Sequence, residues 1–413
     1  MAEMGTGVDV VVVGGGVIGA STAFHLARRG VRRVALLEKR EIAAGASGRS
    51  GALVRMHYAN PHEARIALAA LPWFEEWGER IGGDCGFTRT GFLQLVAPHD
   101  RERLRQNVAM LREVGVPTDL IDAAAIRSLQ PQLALDGAEI AAFEPRSGYA
   151  DPVATARALA AAAAALGVRV MEGVEATRLA VDGGRVAGVE TDRGWISASA
   201  VVLANGAWSA PLLAPLEIRP PIHPTCTQVA FFERPDALPG GAAGHLTIID
   251  RAHGYYARPA GERSTLVGLS GSHRPLAALD DYPRENDPGF ADLARRQVSR
   301  RIPALAGAAH LGGHKGPLDV TEDGKAILDR APGVEGLLLA VGMSGTGFKK
   351  SPAIGACMAE LLTAGRAETA PIEAFALGRF AAGAPIRGND YSLPAETVDA
   401  AERDVLRGRG LVH

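Results

Sequence analysis

Residues Val8 to Glu38 constrain this chain most. An apolar run, VDVVVV, leads into Gly14-x-Gly16-x-x-Gly19. An amphipathic stretch follows to Gly30, and a second apolar run, VRRVALL, ends at Glu38. The order predicts a strand, a glycine turn, a helix and a second strand closed by an acid, the opening unit of a parallel sheet that binds a dinucleotide. Gly14 permits the tight turn, Gly16 lets a pyrophosphate approach the backbone, and Gly19 lets the helix pack close to the sheet. Val17 and Ile18 open the helix, whose free N–H groups and positive dipole end favour phosphate. Glu38 lies nineteen residues after Gly19, where a carboxylate can accept hydrogen bonds from ribose hydroxyls. The glycines alone would fit any glycine-rich loop; the flanking strands, helix and acid make the dinucleotide the stronger reading.

A length of 413 residues allows two closely packed domains. The net charge of −2 gives no electrostatic basis for binding nucleic acid. Cys85, Cys226 and Cys357 are widely separated and odd in number, which suggests neither a disulfide framework nor a zinc site. No basic segment or long apolar segment precedes Val8, so no secretory signal is expected. The alanine run at 160–165 is too short to cross a bilayer. These features predict a soluble, cytoplasmic chain that engages no membrane.

A single glycine fingerprint implies a single dinucleotide. A second glycine-rich loop, GASGRSGA, occupies 45–52. Helical patterns follow over 61–80 and 99–114, with a strand-like stretch at 91–98. Asp151-Pro152 suits the start of a helix over 153–166, and Asp182-Gly183-Gly184 signals a hairpin. The block 216–311 reads as short antiparallel strands with a polar helix near 290–300. Gly336-LLLAV-Gly342 then reads as a buried strand, followed by a glycine loop and a helix that Ser351 is expected to cap, with Pro352 first and Gly365 after its end. The fold class expected is α/β: a discontinuous Rossmann-type domain (1–85, 148–215 and 312–380) with an α+β substrate domain built on an antiparallel sheet (86–147 and 216–311). Residues 381–413 read as a surface tail or partner-facing arm.

Together the fingerprint, SGRSGALVRMHY at 47–58, SGYADP at 147–152, LANGAWS at 203–209, TEDGKAIL at 321–328 and GMSGTGFKKSPAIG at 342–355 resemble the FAD-dependent amine and amino-acid oxidoreductases of the D-amino-acid oxidase superfamily, nearest the sarcosine oxidase branch. The resemblance covers nearly the whole chain. It implies FAD, two interleaved domains, and oxidation of a C–N bond beside a carboxylate in a small secondary or N-methylated amino acid. Hydride would pass to flavin N5, and the imine left behind would hydrolyse. Arg55, three residues before Tyr58, and Lys349, in Gly-Phe-Lys, match the family residues that hold the substrate carboxylate. Ser47, Arg49 and Ser50 are expected on phosphate or ribityl oxygens, Val174 at adenine, Gly206 along the cofactor, and Gly345, Gly347, Phe348 and Lys349 near the flavin pyrimidine.

Departures from the family carry information too. Glycine and D-amino-acid oxidases place an arginine in the stretch that here reads Pro317-Leu318-Asp319-Val320. The cysteine that attaches FAD in monomeric sarcosine oxidases is replaced by Gly316, which implies non-covalent FAD. The lysine that assists reaction with oxygen is missing from Thr265-Leu266-Val267-Gly268. The electron acceptor is therefore oxygen or another oxidant. A D-amino-acid or 2-hydroxy-acid dehydrogenase, or an electron-transfer subunit with a partner subunit, remains the alternative.

Strand alternation brings only one of Tyr255 and Tyr256 to the substrate, and Tyr256 is favoured, with Arg258 in phase as a weaker candidate. His57, beside Arg55, is placed with the catalytic set, against the commoner structural role of a single histidine. Trp208 reads as packing, and His223 and His253 as loop residues.

Overall fold

The computed structural model describes residues 7–241, 244–271 and 273–398. Its first sheet is centred on the strand Val8–Val13, a valine run buried on both faces. Val10 and Val12 enter the core beneath the helices, while Val11 and Val13 enter the core on the opposite face. Val34–Glu38 and Gly194–Leu203 flank this strand in parallel, and Arg169–Glu172 and Leu337–Val341 continue the parallel order outward. Ile327–Arg330 adds an antiparallel edge. The hairpin of Ala176–Asp182 and Arg185–Thr191 extends from Gly194–Leu203. Helices Val17–Arg28, Pro152–Ala165 and Ser351–Ala364 cover one face. The first and last approach so closely that a Cβ on Gly355 would lie 2.1 Å from Ser21 Oγ. One sheet thus draws strands from 8–38, 169–203 and 327–341.

The second sheet has nine strands and is antiparallel except where Thr247–Asp250 runs parallel to Phe92–Leu95. Its long pair, Ile222–Glu233 and His310–Thr321, stays in register from Ile222 opposite Thr321 to Phe232 opposite His310, with one irregularity near Phe231. The helix Phe290–Ser299 covers one face, packing Ala294 and Val298 into a core with Phe232, Tyr255 and Val267. These two sheets are the α/β and antiparallel halves expected from the residue pattern.

Local details differ. Ser351 does not cap the last helix: Lys350 occupies the N-cap position, and Ser351 is the first helical residue, with its Oγ buried and without a partner among the described residues. The preceding 3-10 turn, Phe348–Lys350, already leads into the helix, so no extended residue is left to cap it. The helical pattern over 61–80 is two helices, Pro61–Glu75 and Trp77–Arg80. The idea of a surface tail from 381 fails over 386–398. Tyr391, Leu393 and Val398 are buried, and Ser392 donates from its amide (2.7 Å) and its hydroxyl (2.5 Å) to Asp100 Oδ2. That segment is irregular chain with one 3-10 turn, Ala395–Thr397, pinned by polar contacts, which leaves no helical periodicity to read. Residues 399–413 lie outside the described residues.

Candidate active site

Val13, Leu37 and Leu203 pair side by side at the carboxyl ends of three parallel strands, the usual place for a ligand in an open α/β sheet. Gly14 turns out of its strand at φ +109°, and a Cβ there would sit 2.6 Å from Ala204 O. Gly16, Val17, Ile18 and Glu38 line a cavity of about 930 Å³. Glu38 is held in place by backbone donors: Gly15 N to Oε2 at 2.8 Å and Arg40 N to Oε1 at 2.9 Å. Val17 N donates to Ser47 Oγ at 3.0 Å, which ties the second glycine loop to the helix start. Arg49, Ser50, Val174 and Gly206 also line the cavity. Val174 N donates to Glu38 O at 2.9 Å. Gly19 does not line it; a Cβ there would meet Gly14 O at 1.9 Å, so this glycine serves helix packing behind the turn.

The lining fits a dinucleotide. A Cβ on Gly14 would meet Ala204 O at 2.6 Å and one on Gly16 would meet Ser47 Oγ at 2.9 Å, so both positions line the cavity as bare backbone. Asn205 Oδ1 and Asp319 Oδ2 are buried polar atoms at the cavity with no partner among the described residues. Burial raises the Asp319 carboxyl to about 6.

The other end of the cavity gathers Arg55, Tyr256 and Lys349, with Gly345, Gly347 and Phe348 beside them. Arg55 follows the short strand Leu53–Val54, and Nη1 donates to His57 O. Its guanidinium lies 4.6 Å from the Tyr58 ring centroid and 5.7 Å from that of Phe92. Buried Glu144 secures this segment by accepting from Met56 N at 2.9 Å and Ser147 Oγ at 2.6 Å. Tyr256 faces the cavity while Tyr255 is buried in the sheet core. Two glycines make room for the Tyr256 ring: a Cβ on Gly51 would lie 2.8 Å from it, and one on Gly268 2.1 Å.

Lys349 and Lys350 are adjacent but have opposite surroundings. Lys350 Nζ donates to Glu63 Oε1 at 2.8 Å and to Thr346 Oγ1 at 2.7 Å. Lys325 meets Glu63 Oε2 at 2.9 Å. Lys349 makes no ion pair among the described residues, and burial, with Arg55 and Lys350 as like charges, holds its ammonium well below the ordinary lysine range. An anion arriving here would restore that charge.

Besides Gly19, two candidates for the substrate end are not part of the cavity wall. His57 is buried, its Nε2 is 2.8 Å from Tyr391 Oη, and its ring stacks on Tyr391. Burial, then Arg55 and Arg251, lower its pKa to about 3, so it is neutral. The strand ends at Val54, so alternation does not carry His57 to the side of Arg55. Arg258 is committed to Gly51 O (2.5 Å) and Pro259 O (2.7 Å). Trp208 does line the cavity, with Nε1 donating to Asp280 Oδ2 at 3.1 Å. His223 is exposed, and His253 bonds Asp250 at 2.8 Å. Sequence reasoning missed Asp319 and Arg251, both on the wall. An arginine directly after the apolar strand TIID was the available signal for the second.

Comparison with known proteins gives the family and the fold. Residues 9–361 match the family DAO, FAD dependent oxidoreductase. The chain is 29% identical over 387 residues to sarcosine oxidase subunit beta of Rhizobium meliloti, covering 91% of this chain and 89% of that protein. It is 30% identical over 373 residues to glycine oxidase of Geobacillus kaustophilus, covering 88% and 94% respectively. The crystal structure of L-proline dehydrogenase from P. horikoshii superposes with a TM-score of 0.85 at 26% identity, over 92% of this chain and 99% of that one.

Proposed function

We propose that this chain, which belongs to the DAO family of FAD-dependent oxidoreductases, oxidises the C–N bond of a small secondary or N-methylated amino acid, with FAD held non-covalently. One observation carries the reading: Arg55 and Lys349, from opposite ends of the chain, share the cavity wall and make no ion pair among the described residues. The relatives' names add support, since sarcosine, glycine and proline are all amino acids.

FAD, when bound, supplies the two-electron acceptor for hydride leaving the carbon beside nitrogen. The residues of this chain orient that event. Arg55 offers a planar fork to the substrate carboxylate and Lys349 a point charge. Tyr256, wedged between Gly51 and Gly268, walls the site. The same cationic field disfavours an added proton on the substrate nitrogen, which keeps its lone pair free. Loss of hydride leaves an imine, and water hydrolyses it to a carbonyl compound and an amine.

Non-covalent cofactor is supported by Gly316 on the cavity wall and by the absence of cysteine among the wall residues. A Cβ at Gly316 would sit 2.7 Å from Arg49 Cβ, so the position has no room for a cysteine without rearrangement. An acceptor other than oxygen is supported by Leu266, an apolar buried residue opposite Arg258 where a lysine would otherwise stand. Among the described residues no helix is long and apolar enough to cross a membrane.

One sequence of measurements tests the reading. The FAD-loaded chain, purified alone, is mixed anaerobically with N-methylated amino acids. The flavin should bleach, recover slowly in air and rapidly with an artificial acceptor, and leave the protein on acid precipitation. A flavin that no amine bleaches would overturn the substrate assignment. Flavin retained in the pellet would overturn non-covalent binding.

A further inference from the structure

Arg251 is a further guanidinium on the same cavity wall, and the clamp of Arg55 and Lys349 does not account for it. It follows the strand Thr247–Asp250 in a turn fixed by its own polar groups. Asp250 is fully buried. Its Oδ1 accepts from Ala252 N at 2.9 Å and His253 N at 3.2 Å; its Oδ2 accepts from His253 Nδ1 at 2.8 Å and Arg301 Nε at 2.9 Å. Arg251 N donates to Leu95 O at 2.9 Å. The turn is therefore set before any ligand arrives, as a preorganised site requires.

The side chain held there is unsatisfied. Arg251 Nε is buried with no hydrogen-bond partner, and the guanidinium makes no ion pair, among the described residues. Asp100 and Asp390 act on it only through space, and Asp100 is taken up by Arg103 at 2.8 Å and by Ser392. Arg55 acts on it as a like charge. Two guanidiniums facing one enclosed space repel unless anions stand between them. The carboxylate assigned to Arg55 and Lys349 supplies one such anion. Ile249 and Leu269, on the same wall, offer apolar surface suited to a short methylene chain.

We infer that Arg251 receives a second carboxylate, so that the substrate is an N-substituted amino acid with two acidic groups. Arg55 and Lys349 grip the group beside the reacting carbon, and Arg251 grips the distal one. The distal group belongs either to the nitrogen substituent, as in an N-carboxymethyl amino acid, or to the side chain, as in an N-methylated acidic amino acid. The recognition chemistry is the same for both. This inference rests on the proposed C–N oxidation for its substrate but is tested by binding.

The FAD-loaded full chain is titrated with glutarate and with valerate, two inert acids of equal length, while perturbation of the flavin absorbance is followed. Glutarate should bind at least ~10-fold more tightly than valerate, the effect of one charge-assisted contact. Arg251→Met should remove that advantage and leave valerate binding unchanged; Arg251→Lys should keep part of it. Equal binding of the two acids by the wild type overturns the inference. So does an equal loss on both acids in Arg251→Met, which would assign Arg251 to the first carboxylate. Anaerobic bleaching then compares iminodiacetate, N-methylglutamate and sarcosine. The preferred dicarboxylate locates the distal group, and a preference for sarcosine over both overturns the inference. If no amine bleaches the flavin while the Arg251-dependent glutarate advantage persists, the oxidation reading fails and the second-carboxylate site stands.

Discussion

The two ends of the cavity are built on opposite plans. The nucleotide end comes largely from one continuous stretch, residues 8–49, and its polar groups bond one another: Glu38 to the amides of Gly15 and Arg40, Ser47 to the amide of Val17. The substrate end takes Arg55, Arg251, Tyr256 and Lys349 from three distant stretches, and its cations have no acidic partner among the described residues. Loops tied to each other in this way hold their shape without a ligand. Clustered cations are less favourable without one, because each raises the cost of charging the next. Cofactor recognition is thus stored as shape and backbone geometry, and substrate recognition as an electrostatic imbalance that an anion relieves.

Something must keep that imbalance from breaking the fold, and the Glu63 cluster is placed to do so. Burial alone would push the Glu63 carboxyl up, but Lys350 and Lys325 outweigh it and hold it below the usual range. The largest expected effect is therefore on stability. Glu63→Ala leaves two buried ammonium groups unpaired and should cost about 3–5 kcal/mol in denaturant unfolding. Because the folded-state pKa is depressed, the cluster stabilises above pH ~4.5 and loses its contribution as pH falls below that. A Glu63→Ala protein with wild-type stability at pH 7 would remove the cluster from this role.

Next in size is Asp319, on the cavity wall, whose Oδ2 has no partner among the described residues. Its folded pKa of about 6 is raised by burial, so its favourable, protonated state is complete below the unfolded value and is lost as pH rises through about 6. In FAD-free protein at pH 8, Asp319→Asn should gain up to about 3 kcal/mol, a gain that fades to near zero below the unfolded carboxyl value. A gain that does not depend on pH would show that ionisation of the buried carboxyl is not its source.

Substitution at the clamp separates the two ends directly. Arg55→Gln or Lys349→Met should bind FAD normally yet lose roughly 100-fold in kcat/KM on acidic amines, about 2.7 kcal/mol. The loss should shrink on amines without a carboxylate. Equal losses on neutral amines would assign both cations to the flavin instead.

This contrast also explains what was legible in the sequence. The strand, glycine turn, helix and acid of residues 8–38 could be read because every contact that defines them is local. Arg55 and Lys349 emerged only through resemblance, since nothing within a few residues of either marks a shared target. Arg251 stayed hidden because its position depends on the parallel pairing of Thr247–Asp250 with Phe92–Leu95, a contact between strands about 155 residues apart. His57 was misplaced for a simpler reason: standing beside Arg55 in sequence does not fix which way its ring turns once the strand has ended at Val54. Asp319 sat in a stretch noticed for the arginine it lacks, and its own burial has no signature in sequence.

The smallest expected effect completes the comparison from the nucleotide side. Glu38→Gln preserves side-chain shape but removes the charge and one of the two oxygens that accept from Gly15 N and Arg40 N. The amide NH₂ would face a backbone N–H, and either the Gly15 or the Arg40 contact must open. Losing one charge-assisted acceptor at a partly exposed site should weaken FAD binding by about 10-fold, near 1.4 kcal/mol. Once the variant is saturated with FAD, its kcat/KM should match the wild type, because Glu38 lies at the far end of the cavity from Arg55 and Lys349. Measured together, Arg55→Gln and Glu38→Gln should therefore show opposite profiles: lost turnover with intact cofactor affinity in one, lost affinity with intact turnover in the other. If Glu38→Gln lowers kcat/KM at saturating FAD, the cofactor end transmits its geometry to the reacting centre, and the two ends are one coupled device.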